Sequence, residues 1–501
     1  MKTARSLPLL HVLLRFLLPT LLFAAAVALC FAPVLSPSVV FVAPDAPLLP
    51  LTFAERLTRL VTEAPTIQNL VGLLPFGFAY EGTFWVDAYL LCLAAVFLLR
   101  NRSLSWSAAW IGGFCAGFTG YAFTLFCAGH RGVVDALAVS CLAFGALDRA
   151  LASGRWRWWA LLALILPLGL AAQADIWALV MPLLAAYGLF RFLGGLPPPD
   201  SGLRRSYLRS RLLCATAAVL FCTLLSIPAL MHTFGAAKDF RDAQLTAATQ
   251  SATTPAAADN ARRTFVTDWS LPPEELLEWI LPNLHGHTSY PFDPQPYTGR
   301  IGSGSQVLRQ HAVHVGWLTL ILALIALIPI PKDTSYRRDR RFWTVAAVIT
   351  LLLALGRYTP LYTLITELPV YGQIRAPVKW LHLTGFALSI LAGFGAQRLF
   401  RLLSQRLIPA AAAVLCLLIA LNGIYIARPY LFPIDLDPQR SLSTLPPGTP
   451  VFASDTYHAW LRHLNLAPTS NPYATPRPAL AVRVIRGTDG TLLLAPFALR
   501  R

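Results

Sequence analysis

The chain alternates between long apolar runs and short polar breaks. Runs near the roughly 20 residues that a helix needs to cross a bilayer fall at about 10–34, 80–99, 105–126, 133–151, 157–172, 176–194, 211–231, 313–331, 342–357, 378–397 and 408–427. In lipid a helix satisfies its own backbone hydrogen bonds, so the pattern predicts an all-α polytopic membrane protein of about 11 transmembrane helices. The polar breaks differ in charge. Lys2/Arg5, Arg100/Arg102, Arg149/Arg155/Arg157, Arg204/Arg205/Arg209/Arg211, Lys332/Arg337/Arg338/Arg340/Arg341 and Arg398/Arg401/Arg406 fall in alternate breaks, whose only acids are Asp148, Asp200, Asp333 and Asp339. Loops rich in Arg and Lys stay on the cytoplasmic side. The N-terminus is therefore read as inside and the C-terminus as outside; the inverted topology breaks the rule in every one of these loops.

That orientation leaves three sizeable outer pieces, 36–82, 232–312 and 428–501, around membrane segments 1–35, 83–231 and 313–427. The first carries Asp45 and then TFAERLTRLVTEAP, whose Thr52 and Glu55 form a capping box. Phe53, Leu57, Leu60 and Val61 share one helical face. Such a helix fits the membrane interface, with Arg56, Arg59 and Glu63 toward the headgroups, and equally a seat on the bundle. In the second piece the polar, Ala/Thr-rich stretch Lys238–Asn260 gives little reason for tight folding. Ser270 ahead of Pro272-Pro273 and Glu274-Glu275 then predicts a helix start, with Pro282 as its stop. The tail is Pro-rich to about Pro478, and two apolar runs around Asp489-Gly490 predict a small β hairpin.

Composition agrees: the chain is 56% hydrophobic and 13% charged, with mean hydropathy +0.56, which excludes a soluble globular protein of this length. The formal charge of +17 sits largely in short inter-helix loops, so it sets orientation rather than marking a nucleic-acid binder. All eight cysteines lie in apolar runs without CxxC or Cys/His spacing, as small core residues do. No metal-ligand spacing appears. Lys2 and Arg5 precede a first run longer than a signal peptide's apolar core, and Leu29 is bulky where lipoprotein cleavage before Cys30 needs a small residue. The run is read as an uncleaved first helix.

Ionisable residues within or beside apolar runs are costly and so mark candidate chemistry. Asp87, Asp135, Asp175, Arg375 and Lys379 all fall near the outer ends of predicted spans. One reading has them snorkel or pair with one another. Gathered at one level they suit a phosphate group: His130 with Arg131, and Arg375 with Lys379, supply forked and point charges. A carboxylate opposite them has two uses, as a general base or as a ligand for a divalent cation. Neither GxxxxGK[ST] nor a strand-led GxGxxG occurs, so the donor of any group transfer is expected within the lipid itself.

Several stretches, in order, carry a family resemblance: GFTGYAFTLFCAGHRG, AAQADIWALVMPLLAAYGLFRF, DWSLPPEELLEWILPNLHG with YTGR at Tyr297–Arg300, and LALGRYTPLYTLITELPVYGQIRAPVKWLHLTGFALSILAGFGAQRL. Together they cover most of residues 105–400, and the chain resembles the YfhO-like bacterial membrane proteins. These are relatives of the GT-C glycosyltransferases that use polyprenyl-phosphate sugars. The resemblance implies a GT-C-like bundle in the bacterial cytoplasmic membrane, with or without a metal. It would transfer a sugar from a polyprenyl-phosphate carrier to a cell-envelope acceptor on the outer face. It implies Asp45 as the catalytic carboxylate of the first outer loop. His130, Arg131, Asp175, Tyr297, Arg300, Arg375 and Lys379 follow as substrate-binding residues. Two other classes stay open: a transporter or flippase, against which no inverted repeat is seen, and a non-catalytic assembly protein for lipid-linked precursors.

Overall fold

In the computed structural model the described residues are 7–31, 39–41, 80–120, 124–125, 130–198, 203–249, 254–286, 300, 302–303, 306–307, 312–329, 336–368, 371, 374–428, 433–435, 450–452, 467–469, 480–486 and 492–498. Helices dominate: α1 (Leu7–Phe31), α2 (Tyr80–Asn101), α3 (Trp106–Gly117), α4 (Arg131–Ser153), α5 (Trp156–Ala172), α6 (Ala174–Gly194), α7 (Leu203–Thr249), α8 (Pro255–Thr267), α9 (Trp317–Leu327), α10 (Arg337–Ala354), α11 (Pro360–Thr366), α12 (Leu381–Phe400) and α13 (Ile408–Ala427). Their ends follow local rules. Ser105 accepts the Ala108 N–H to start α3, and Thr254 does the same from Ala257 with Pro255 in the first turn of α8. Gly154, left-handed at φ 66°, ends α4.

Each of the eleven predicted runs contains a helix. Among the described residues four helices are long and apolar enough to cross a membrane, at Ala174–Gly194, Leu203–Ile227, Pro377–Phe400 and Ile408–Ala427, and shorter apolar helices occur at Phe16–Cys30, Trp156–Ala172 and Trp317–Leu327. Helix α12 is the central post, packed against α3, α9 and α10. At its crossing with α9, a Cβ on Gly395 would lie 1.8 Å from the Leu322 carbonyl oxygen, so glycine is what lets the two backbones touch. Phe144, Tyr187, Trp343 and Phe386 interlock beside it, largely edge to face.

Charges separate to the two ends of the bundle. At one end Arg102 pairs with Asp339 at 2.7 Å and with Asp148 at 3.4 Å, and Arg191 pairs with Asp148 at 2.5 Å. Both acids are buried, and the Tyr187 hydroxyl lies 3.4 Å from Asp148. This network ties the α2–α3 turn, α4, α6 and α10. At the other end lie Asp175 and Lys379. Asp175 and Arg191 are sixteen residues apart on α6, about 24 Å at the helical rise.

The structure differs from the sequence reading at five places. Helix α7 runs unbroken to Thr249 through the predicted outer loop, because its distal part is rich in alanine, the strongest helix former. Helix α8 then takes up the last part of Lys238–Asn260 and continues to Thr267. The predicted helix after Ser270 is a 3-10 turn, Pro273–Trp279, and the Ser270 hydroxyl donates instead to the Thr267 carbonyl and accepts from the Arg357 N–H. Helix α3 stops at Gly117, well short of 126. Asp87 and Asp135 do not snorkel: they are 0% and 1% exposed, inside the packed α2 and α4.

Strand β1 (Val39–Phe41), which follows α1, pairs antiparallel with β4 (Pro433–Asp435), which follows α13, and the short β2 (Gly302–Ser303) pairs antiparallel with β3 (Gln306–Val307). The first connection and the tail therefore meet on the same side. In the tail β7 (Leu480–Arg486) pairs antiparallel with β8 (Leu492–Ala498) at Leu480↔Ala498. Strand β5 (Pro450–Phe452) joins β7 in parallel and carries β6 (Ala467–Thr469) on its other edge.

Candidate functional site

Between α6 and α10 lies a cleft of about 300 Å³, closed at one end by α11, Tyr371 and Trp380. Its walls are apolar: Pro182, Leu183 and Ala186 face Phe342, Val345, Ala346 and Ile349. The hydroxyl of Thr350 donates to the Ala346 carbonyl and bonds Thr384, so it presents little polarity to the cleft. Val345 and Ile349 line the cleft and are themselves exposed, so the cleft opens onto an apolar stretch of the surface.

Above the cleft sits a charged rim built from three turns. The α5–α6 turn supplies Gln173 and Asp175, with Asp175 in the first turn of α6 where the helix dipole favours an acid. Gln173 donates to Asp175 at 2.8 Å, as does the Ile176 N–H. The other carboxylate oxygen of Asp175 binds the Lys379 ammonium. The start of α4 packs against this group, since a Cβ on Gly132 would fall 2.5 Å from the Ala172 carbonyl oxygen and 2.8 Å from the Gln173 side-chain oxygen. Tyr371 donates to the Ala178 carbonyl at 3.0 Å, bracing the rim on α6.

The third component is Asp268, after α8. It accepts from Arg357 at 2.8 Å and lies 3.9 Å from Arg375. One carboxylate thus faces two guanidinium groups. Arg357 holds the better geometry, while Arg375 stacks over the Phe265 ring at 4.7 Å. Its Nε is buried with no hydrogen-bond partner among the described residues. Burial lowers the Arg375 pKa from its ordinary value, and Asp268 only partly opposes the shift. The rim therefore carries a cation that its own acids leave incompletely matched, as an anion site does.

The backbone around this pair is strained. Trp269, next to Asp268, has φ 62°, and Ala376, next to Arg375, has φ 69°. Both are non-glycine residues in the left-handed region, at a cost of about 1–3 kcal/mol each. The Val378 N–H bonds the Trp269 carbonyl at 3.1 Å, so the two strained turns hold each other.

Of the site residues predicted from sequence, Asp175 pairs with Lys379, Arg375 lies four residues before Lys379 and faces Asp268, and His130 is the N-cap of α4. Arg375 and Lys379 are not both vacant cations: Lys379 is paired with Asp175. Arg300 belongs to a different place, where it pairs with Glu274 while its backbone N–H donates to Glu275 at 2.8 Å. Asp45, Tyr297, the Arg131 side chain and the predicted Thr52–Pro65 helix lie outside the described residues. Sequence reasoning missed Gln173, Asp268 and Arg357. The last closes the 342–357 run, in the GRYTP stretch already quoted, and Asp268 opens DWSLPP in a long polar connection, where an acid draws no notice. Among the described residues no group of His, Cys, Asp and Glu could hold a metal ion, and the described cysteines are unpaired, five of them buried.

No protein-family model matches the chain, and no curated protein matches it.

Proposed function

We propose that the chain crosses the bacterial cytoplasmic membrane eleven times, N-terminus inside, and is a glycosyltransferase of GT-C type, as its resemblance to the YfhO-like proteins suggests. It takes a sugar from a polyprenyl-phosphate carrier and gives it to an envelope acceptor on the outer face. The observation that carries this reading is the incompletely matched Arg375, five residues before the Trp380 that helps close an apolar cleft. A charged rim over an apolar slot matches a ligand that is anionic at one end and hydrocarbon at the other.

The chemistry is a single displacement. The acceptor hydroxyl attacks the anomeric carbon and passes its proton to Asp45, while the bond from that carbon to the phosphate oxygen breaks and its electron pair stays on the phosphate. Arg375 and Lys379 stabilise that growing charge. For Lys379 to do so it exchanges Asp175 for phosphate, and Gln173 keeps Asp175 oriented meanwhile.

The test compares lipid-linked saccharides and envelope polymers by mass spectrometry in wild-type, deletion, Asp45→Ala and Arg375→Ala strains. The deletion strain should lose one glycan and accumulate its lipid-linked precursor. Unchanged glycans there, under conditions where the protein is made, overturn the enzymatic reading and favour an assembly protein. A precursor that builds up only on the inner leaflet favours a flippase. Full complementation by Asp45→Ala removes that residue alone from the mechanism.

A further inference from the structure

The segment from Pro273 to Gly286 has its polarity inside out. Glu275 and Glu278 are 0% exposed, whereas Leu277, Ile280, Leu281 and Leu284 are 53%, 66%, 56% and 46% exposed. The acids are not idle: Glu275 accepts the Arg300 N–H at 2.8 Å and Glu278 accepts the His285 N–H at 3.0 Å. In water this arrangement is unfavourable twice over, since apolar side chains are hydrated and carboxylates are desolvated. It becomes favourable when the leucine face meets hydrocarbon.

The surroundings identify that hydrocarbon. The Trp317 indole N–H donates to the Ile280 carbonyl at 2.9 Å, so the segment lies level with the first residue of α9. Down α9 the exposed face continues through Ile321 and Leu324. Trp317 also stacks on Tyr425, close to the end of α13, with ring centroids 6.2 Å apart. A Trp–Tyr pair where two apolar helices begin and end is the mark of a membrane–water interface. The leucine face is continuous with a wall that spans the bilayer in the proposed topology.

We propose that Pro273–Gly286 is a membrane-interface strap, lying at headgroup depth with Leu277, Ile280, Leu281 and Leu284 in the acyl boundary of the outer leaflet. Its occupant is lipid rather than a protein partner, because Ile280 adjoins Trp317, whose exposed face continues down α9 through Ile321 and Leu324 and stacks on exposed Tyr425 of α13. The strap rests on the membrane reading but not on glycosyl transfer, and its depth can be measured whatever reaction the protein performs.

Spin labels placed by Leu277→Cys, Ile280→Cys and Leu281→Cys, in protein reconstituted into phosphatidylethanolamine–phosphatidylglycerol vesicles, report depth from collisions with oxygen and with nickel-EDDA. Asn260→Cys serves as the water reference and Leu324→Cys as the lipid reference, with unsubstituted protein supplying the background from native cysteines. The strap sites should be open to oxygen and protected severalfold from nickel-EDDA relative to Asn260→Cys, at a depth between the two references. Nickel-EDDA access equal to that at Asn260→Cys overturns the proposal by placing the face in water. Low access to both probes overturns it by placing a protein surface there. Three independent sites guard against one variant failing to fold, and a variant is scored only if it elutes as the parent does.

Discussion

At the scale of single residues the rim depends on a few side chains with distinct tasks. Arg375→Ala should lower the proposed glycosyl transfer by about 100-fold or more, the usual cost of removing one preorganised charge donor. Sugar release from lipid-linked donor in membranes measures it, and wild-type rates would remove Arg375 from the site. Ala376→Val should destabilise the protein by at least about 1 kcal/mol, because a β-branched residue tolerates φ 69° worse than alanine does. Gly132→Ala should cost about 1–3 kcal/mol by driving the α4 start away from Gln173. Thermal unfolding in detergent reads both. Arg375 and Lys379 were legible in the sequence because charge beside an apolar run is rare. Asp268 was not, because an acid in a long polar connection looks ordinary until the fold sets it between two arginines. Gln173 carries no charge at all, and only its bond to Asp175 reveals its task.

At the scale of elements the inner ion network and α7 are the informative cases. Each cation of the network comes from a different element, so it locks four pieces at once. Arg102→Met should cost about 3 kcal/mol or more by leaving buried carboxylates undercompensated. The double change Arg102→Met with Asp339→Leu should cost less than the two singles summed, by about 1 kcal/mol or more. Additive costs in the unfolding cycle would mean the pair at 2.7 Å is not coupled. The sequence placed Arg102, Asp148 and Asp339 on one side by the loop-charge rule, but not in one cluster. Helix α7 shows the opposite limit: apolar content located its membrane part, while the continuation to Thr249 follows from alanine content that a hydropathy reading ignores.

At the scale of the whole molecule the loop charges and the position of the described groups make one joint statement. Asn260→Cys, exposed after the proposed seventh span, should react with a membrane-impermeant maleimide in intact cells, and Ser404→Cys, exposed between α12 and α13, only after the membrane is opened. The reverse pattern would invert the topology and move the rim to the cytoplasmic side. The pairing of β1 with β4 already requires the first connection and the tail to share a side, which an odd number of spans provides.

Helix α6 is pinned by charge at both ends, through Asp175 to Lys379 at one and through Arg191 to Asp148 at the other. Its neighbour α10 is fastened by Asp339 below and by its Ala354 carbonyl, which accepts the Leu271 N–H, above. The gap between the two helices therefore has a set width, although its flank stays open. In the proposed role such a slot gauges the thickness of the carrier's chain and is indifferent to its length. A hydrocarbon can overhang into the bilayer without penalty, but one methyl branch too many along the gripped stretch has nowhere to go.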